Sequence, residues 1–123
     1  MTTRRAILLI DHGSKREEAN TLLERVAELV REQAGDDIVV RTAHMELAEP
    51  TIAQGFAACV EAGATEVVAV PFMLLPGRHA REHIPALVEE AAASHVGVAW
   101  RVTDPLGPHP LLARIVLERV RDP

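Results

Sequence analysis

The chain has 123 residues, of which 48% are hydrophobic and 25% are charged, and its formal net charge is −5. This length predicts a single domain, residues 1–123, with the composition of an ordinary globular protein. The acidic balance and the scarcity of aromatic residues (two Phe, one Trp, no Tyr) argue against nucleic acid as a partner.

The single cysteine, Cys59, cannot form an intramolecular disulfide, and it fits a small core residue in a reducing compartment. The apolar run near the N-terminus covers only residues 6–10, which is too short for a signal peptide core or a membrane span. We therefore expect a cytoplasmic protein that has no membrane partner.

Four short apolar runs predict β-strands at residues 6–10, 38–43, 66–72 and 97–102. The first and third runs are almost continuously apolar, which is typical of parallel strands covered on both faces. Four segments with apolar residues at helical spacing alternate with these strands. The order βαβαβαβα predicts an α/β fold: a three-layer structure with a four-stranded parallel sheet and helices on both faces.

The first two helices have recognisable start and stop signals. Ser14 and Glu17 match the capping-box pattern, so the first helix is expected to begin at Ser14 and to end before Gly35. The second is expected to begin near Pro50 and to end at Gly63.

The last two helices differ in how well the sequence defines their starts. Pro85 would disrupt a helix that began much earlier, so the regular part of the third is placed at residues 85–94. The fourth is expected to start at His109 and Pro110. We expect it to pack an apolar face made of Leu111, Leu112, Ile115, Val116 and Val120.

Histidines are concentrated after the strands. In open parallel sheets, ligands bind beyond the carboxyl ends of the strands. Five of the six histidines follow these ends, namely His12, His44, His79, His83 and His109. Glu46, Arg78 and Arg81 lie in the same segments. A lone histidine in such a loop is more often a surface or capping residue, but imidazole and carboxylate together suit Fe, Co, Ni and Zn.

One other motif at this edge indicates a different chemistry. His79, Glu82 and His83 match H-x-x-E-H, the inverted zinc-protease signature, although Pro85 follows it closely. A zinc hydrolase that uses His79 and His83 is therefore an alternative. The glycine-rich dinucleotide and P-loop patterns are both absent from the sequence, so we expect no nucleotide cofactor.

Four segments carry a resemblance to a known family: HGSKREEAN at residues 12–20, MELAEPTI at 45–52, VPFMLLPGRHAREHIP at 70–85 and DPLGPHPLL at 104–112. In this order and spacing the chain resembles the class II chelatases of the small cobalt and sirohydrochlorin chelatase type. The resemblance implies a chelatase-like fold. It implies insertion of a divalent metal substrate (Co²⁺, Ni²⁺ or Fe²⁺) into a sirohydrochlorin-like polycarboxylate tetrapyrrole, without ATP, in cobalamin or sirohaem biosynthesis. It also implies a homodimer, because short chains pair to form the cleft that longer relatives build from two domains.

The resemblance also implies roles for individual residues. The metal-binding and catalytic residues of the family fall on His12, Glu46 and His79. The two histidines would hold the metal and one would accept a pyrrole proton, while Glu46 would complete the ligand set or take the second proton. Ser14, Lys15, Arg78 and Arg81 are the expected substrate-binding residues, which would meet the carboxylates of the macrocycle. The backbone N–H groups of Ser14 and Lys15 are expected to add to this binding at a helix N-terminus.

Three positions depart from the pattern of this family, namely Asp11, His44 and His83. His44 and His83 are possible additional metal ligands, and they make the identity of the metal an open question. The remaining alternative is a carrier that binds a metal or a tetrapyrrole without catalysing insertion.

Overall fold

Strands and helices alternate along residues 3–122, the part of the chain that this computed structural model describes. The elements are β1 (Arg5–Asp11), α1 (Glu17–Ala34), β2 (Val39–His44), α2 (Ile52–Glu61), β3 (Glu66–Pro71), α3 (Arg78–Ala92), β4 (Ala99–Val102) and α4 (Pro110–Arg121). The predicted βαβαβαβα order is confirmed, and each predicted strand is found within two residues of its expected bounds.

The four strands form one parallel sheet in the order β2-β1-β3-β4. In this register Ile10 of β1 pairs with Ala43 of β2 on one side and with Pro71 of β3 on the other. The chain leaves β1 toward β2 and returns on the other side to form β3, so the strand order reverses next to β1. In sheets of this kind that reversal opens a crevice beyond the carboxyl ends of the strands, where ligands bind.

The two faces of the sheet are covered by different helices. On one face Leu8 and Ile10 pack with the side chains of α2 and α3, including Phe56 and Ile84. On the other face the buried cluster joins β1 and β2 to α1 and consists of Leu9, Val40, Leu23 and Ala27. Helices on both faces of a parallel sheet confirm the predicted three-layer α/β fold. No helix within residues 3–122 is long and apolar enough to cross a lipid bilayer.

Cys59 lies in α2, fully buried in the larger cluster, as predicted for a small core residue. Burial raises the pKa of its thiol to about 11, because the apolar surroundings disfavour the thiolate. The Cys59 side chain is therefore a packing group and not a nucleophile at neutral pH.

The start of α1 was predicted wrongly. The helix begins at Glu17, and its N-cap residue, Arg16, makes no side-chain capping hydrogen bond. Ser14 Oγ accepts a hydrogen bond from the Arg16 backbone N–H at 3.0 Å, which folds a tight turn before the helix. A capping box occurs at α2 instead, where Thr51 and Gln54 satisfy each other's backbone N–H groups, so α2 begins at Ile52, two residues after Pro50.

The bounds of α3 were also predicted wrongly, because the helix begins at Arg78 and continues through Pro85. Proline removes one helical hydrogen bond, which would be donated to the carbonyl of Arg81, four residues earlier. Both Pro85 and Arg81 are exposed, so water can satisfy that carbonyl. Pro85 therefore does not prevent one continuous helix from including residues 79–83.

The predicted start of α4 is confirmed, but the predicted packing of its apolar face is wrong. His109 is the N-cap residue, and its Nδ1 accepts a hydrogen bond from the Leu111 backbone N–H at 3.1 Å. No side chain of α4 is buried: of the five residues expected to pack, Leu112 is partly buried, and the others are exposed, namely Leu111, Ile115, Val116 and Val120. Helical spacing identifies an apolar face, but it does not say what covers that face.

Candidate functional site

The loops that follow β1 and β2 are joined beyond the ends of the two strands. The Met45 backbone N–H donates to the Asp11 carbonyl at 2.9 Å, and the Glu46 backbone N–H donates to the His12 carbonyl at 3.1 Å. These two backbone hydrogen bonds therefore hold the loops together directly past the strands, and they place the backbone of His12 beside that of Glu46 at the carboxyl edge of the sheet. Both residues are exposed there.

Gly13 allows this close approach of the two loops. Its φ is +87°, and a Cβ atom added to it would lie 1.8 Å from the Glu46 carbonyl oxygen. No side chain fits at that distance, so only glycine is compatible with the observed pairing of His12 and Glu46.

Asn20 of α1 fixes the next residue of the turn. Its Oδ1 accepts from the Ser14 backbone N–H at 2.9 Å, and its Nδ2 donates to the Ser14 carbonyl at 2.8 Å. This double contact was missed in the sequence, although Asn20 ends the first of the four family segments. It also corrects one expectation: the Ser14 N–H is already used, and the helix N-terminus lies at Glu17, so that N–H does not face a substrate carboxylate.

Ser14 and Lys15 line a shallow cleft between the β1–α1 and β2–α2 loops, together with His44, Leu47 and Glu49. Lys15 is exposed and Ser14 is partly buried. Of the two, the ammonium group of Lys15 is the stronger candidate partner for an anionic group, because the Ser14 backbone is bonded to Asn20.

Two of the residues that depart from the family pattern contact each other. Asp11 and His44 are register partners in β1 and β2, and the His44 Nδ1 lies 2.5 Å from the Asp11 Oδ1. His44 is only 3% exposed. The carboxylate thus orients the imidazole and satisfies one of its ring nitrogens, and the two departures form a single buried polar contact. The structure places His44 beneath the exposed edge that carries His12 and Glu46.

The first turns of α3 carry the second group of candidate residues. The rings of His79 and His83 stack with their centroids 4.8 Å apart and their planes at 19°, and both residues are exposed. Arg78 forms an exposed ion pair with Glu82, with 3.1 Å between Nε and Oε1. Exposed pairs of this kind contribute little stability, so a bound carboxylate can replace Glu82 as the partner of Arg78.

Arg81, three residues after Arg78 on the same helix, lies beside a cavity between α3 and β4. This cavity has a volume of about 530 Å³, and Trp100, Val102 and Asp104 line it together with Arg81. The four predicted substrate-binding residues are therefore divided between the two sides of the sheet edge, with Ser14 and Lys15 on one side and Arg78 and Arg81 on the other.

The three predicted metal ligands do not form a ready-made site within one chain. His12 and Glu46 lie side by side, while His79 lies in the first turn of α3, the helix that follows β3 on the other side of β1. Within residues 3–122 no group of three or more His, Cys, Asp or Glu side chains is close enough together to hold a metal ion. The arrangement is an open edge with separate donors rather than a closed coordination sphere.

Comparisons with known proteins match this fold and these segments. A family model described as CbiX matches residues 6–123. The chain is 46% identical over 115 residues to the chloroplastic sirohydrochlorin ferrochelatase of Arabidopsis thaliana, covering 94% of this chain and 51% of the relative. It is 31% identical over 129 residues to the sirohydrochlorin cobaltochelatase of Methanosarcina acetivorans, covering 99% of this chain and 98% of the relative.

A solved structure shows the same fold. The sirohydrochlorin chelatase SirB from Bacillus subtilis subspecies spizizenii, in complex with cobalt, matches with a TM-score of 0.85 and 32% identity, covering 98% of this chain and 51% of that chain. The chain thus spans about half the length of SirB and of the Arabidopsis relative, and nearly all of the Methanosarcina relative. The family match over residues 6–123 shows that the chain belongs to the CbiX family.

Proposed function

We propose that the protein is a metal chelatase that inserts a divalent ion (Co²⁺, Ni²⁺ or Fe²⁺) into sirohydrochlorin, on the path to cobalamin or sirohaem. The observation that carries this proposal is the pairing of His12 with Glu46 at the carboxyl edge of the sheet, beside the connection that leads to His79. Imidazole and carboxylate donors on an open edge suit an ion that must be held and then released to another ligand.

The chemistry of insertion assigns a task to each of these side chains. The divalent ion forms bonds to the four macrocycle nitrogens, two pyrrole N–H bonds break, and two protons leave. His12 and His79 hold the ion through ring nitrogens, and one of the imidazoles accepts a proton once the metal has passed to the macrocycle. Glu46 completes the ligand set or accepts the second proton. One divalent ion replaces two protons, so the charge of the macrocycle is unchanged. We propose no ATP requirement, because the sequence contains no nucleotide-binding motif.

The macrocycle needs an apolar surface as well as cationic partners. Leu47, Leu74 and Leu75 are all more than half exposed, and they lie in the loops that follow β2 and β3 at this edge. A flat ring can cover such leucines while its carboxylates reach Lys15 on one side and Arg78 and Arg81 on the other. Ser14 adds its hydroxyl to the Lys15 side.

We also propose that residues 1–123 form a single domain and that two copies of the chain form a homodimer. The donors of one chain do not complete a metal site, and some relatives in the family are about twice as long as this chain. A second copy opposite the open edge would enclose the macrocycle between two such surfaces. We place this dimer in the cytoplasm, because the unpaired and buried thiol of Cys59 fits a reducing compartment.

One observation supports the zinc-hydrolase alternative, and another counts against it. His79, Glu82 and His83 do lie on one continuous helix, as the H-x-x-E-H motif requires. However, a catalytic zinc site needs a third protein ligand, and no third ligand accompanies these residues within residues 3–122.

The proposal is tested by the absorbance change of sirohydrochlorin mixed with Co²⁺, Ni²⁺ or anaerobic Fe²⁺, with and without the full chain. We expect the protein to accelerate insertion with turnover, and we expect His12→Ala to slow it by about 100-fold or more. His95→Ala is the matched control, because His95 stacks on Phe56 in another part of the chain, and it should stay within a few-fold of wild type. A stoichiometric spectral change without turnover would favour the carrier, and no acceleration with any of the three metals would overturn the chelatase proposal.

A further inference from the structure

The last residues of β1 and β2 immediately precede the segments that carry the two donors of the sheet edge. Asp11 ends β1 and is followed by His12, and His44 ends β2 two residues before Glu46. Asp11 and His44 are register partners, and their side chains are joined by the 2.5 Å contact between Oδ1 and Nδ1. A carboxylate can only accept, so the His44 Nδ1 donates in this hydrogen bond. The contact ties the two strands together at the point where the chain continues to His12 and Glu46.

His44 also closes the β2–α2 loop, which carries Glu46. Its backbone N–H donates to the Pro50 carbonyl at 2.8 Å, and His44 and Thr51 form an isolated parallel bridge. Both ends of the loop over residues 45–50 therefore meet at His44. A displacement of His44 would move the base of the loop from which Glu46 extends.

The side chain of His44 packs against the β1–α1 turn as well. A Cβ atom added to Gly13 would lie 3.1 Å from the His44 Cβ, so these two residues are in close contact. His44 thus contacts the chain on both sides of His12, through Asp11 before it and through Gly13 after it. The segments that set the relative position of His12 and Glu46 meet on this one residue.

Burial makes the contact between Asp11 and His44 directional. The side chain of His44 is 4% exposed and that of Asp11 is 23% exposed, so water competes little for their hydrogen bond. An imidazole that lost this partner would leave Nδ1 unpaired or would turn toward water, and either response would disturb the strand ends. An apolar pair could slide without this penalty, whereas a buried hydrogen bond holds one separation and one orientation.

We propose that Asp11 and His44 are positioning residues for metal insertion, and that their hydrogen bond sets the separation at which His12 and Glu46 meet the divalent ion. In this role neither Asp11 nor His44 touches the ion or the macrocycle. Partners that hold metal donors in place typically change metal affinity or activity by about 10- to 100-fold. The inference rests on the proposed function and adds which residues set the geometry of the donors.

Titration of the full chain with Co²⁺, followed by calorimetry and by the visible absorbance of the bound ion, tests the donors without the macrocycle. Asp11→Ala should raise the Kd for Co²⁺ by about 10- to 100-fold, because it removes the partner of His44. Asp11→Asn keeps an acceptor oxygen at the same place, so its Kd should stay within about 3-fold of wild type. His44→Phe fills the space of the imidazole without a ring nitrogen, and it should weaken Co²⁺ binding as Asp11→Ala does. The double variant should lose no more than the weaker-binding single variant, because both changes remove the same contact.

Thr42→Val is the matched control. Thr42 lies two residues before His44 on the same face of the sheet, and its Oγ1 donates to the Glu24 Oε2 at 3.0 Å. The substitution therefore also removes a side-chain hydrogen bond from β2. It should lower the stability toward urea about as much as Asp11→Ala does, and it should leave the Kd for Co²⁺ unchanged.

Three results would overturn the positioning role while the proposed metal site stands. Asp11→Ala could bind Co²⁺ as tightly as wild type. Asp11→Asn could lose as much affinity as Asp11→Ala, which would mean that the charge of Asp11, and not its contact with His44, serves the ion. Thr42→Val could weaken Co²⁺ binding equally, which would mean that the effect is a general loss of stability.

His12→Ala distinguishes these results from a failure of the proposed function. This variant removes a donor, so it should weaken Co²⁺ binding at least as much as Asp11→Ala does. A wild type that binds no Co²⁺, or a His12→Ala variant that binds it as tightly as wild type, would overturn the proposed metal site and the positioning role together.

Discussion

Gly13→Ala should lose metal insertion almost completely and should destabilise the protein more than Gly35→Ala does. The two glycines have nearly the same backbone angle, with φ of +87° and +86°, so both substitutions carry a conformational cost of about 1–3 kcal/mol. Their surroundings differ: nothing lies within 4 Å of a Cβ on Gly35, whereas a Cβ on Gly13 would lie 1.8 Å from the Glu46 carbonyl oxygen. The comparison therefore separates backbone strain from steric collision.

The collision can be relieved only if the two loops separate. Separation would break the Glu46 to His12 backbone hydrogen bond and disturb the contacts of Asn20 with Ser14, which adds about 1–3 kcal/mol to the cost. A shift of about 1 Å between His12 and Glu46 would reduce insertion by about 100-fold. Urea unfolding and the sirohydrochlorin assay measure the two effects. Equal stability losses for both variants, with insertion retained by Gly13→Ala, would contradict the role given to this loop contact.

The layers of the fold could be predicted because they depend on patterns within short segments. Apolar runs at residues 6–10 and 66–72 predict covered parallel strands, and the structure places them at the centre of the sheet as β1 and β3. The strand order could not be predicted in the same way. The adjacency of β1 and β2, which brings His12 beside Glu46, comes from long-range pairing that no local pattern contains.

The errors at helix starts have specific physical causes. Ser14 fits the capping-box pattern, but its hydroxyl and backbone N–H are taken by Arg16 and Asn20 in a turn that precedes α1. The proline rule failed at Pro85 because it assumes that the freed carbonyl is costly, and here that carbonyl is on an exposed side of α3.

The contact between Asp11 and His44 could not be predicted from the sequence, because it depends on the register between β1 and β2. Each residue alone departs from the family pattern without an evident reason. The strand register places them opposite each other, so that the carboxylate of Asp11 is the hydrogen-bond partner of the buried His44 Nδ1, which would otherwise be unpaired. The exposed face of α4 is a different case, because helical spacing in this sequence identifies an apolar face but carries no information about the surface that covers it.

His79→Ala should reduce insertion far more than His83→Ala, although both side chains are exposed and share one helix. α3 begins at Arg78, close to the carboxyl edge of the sheet, and His83 lies about 6 Å farther along the helix axis than His79, just over one turn away from that edge. His79 is therefore the nearer of the two to His12 and Glu46. We expect His79→Ala to lower the rate by about 100-fold or more and His83→Ala by less than about 10-fold.

The matched pair also distinguishes between the competing functions. Neither side chain is buried, so both variants should unfold at the same urea concentration as wild type, and a difference in rate would report on chemistry rather than on folding. A zinc hydrolase would need His79 and His83 equally, because both would be ligands of one ion. Equal losses of insertion would instead make the stacked pair a joint metal-binding unit. Retained activity in His79→Ala would remove His79 from the ligand set and leave His12 and Glu46 as the donors of the edge.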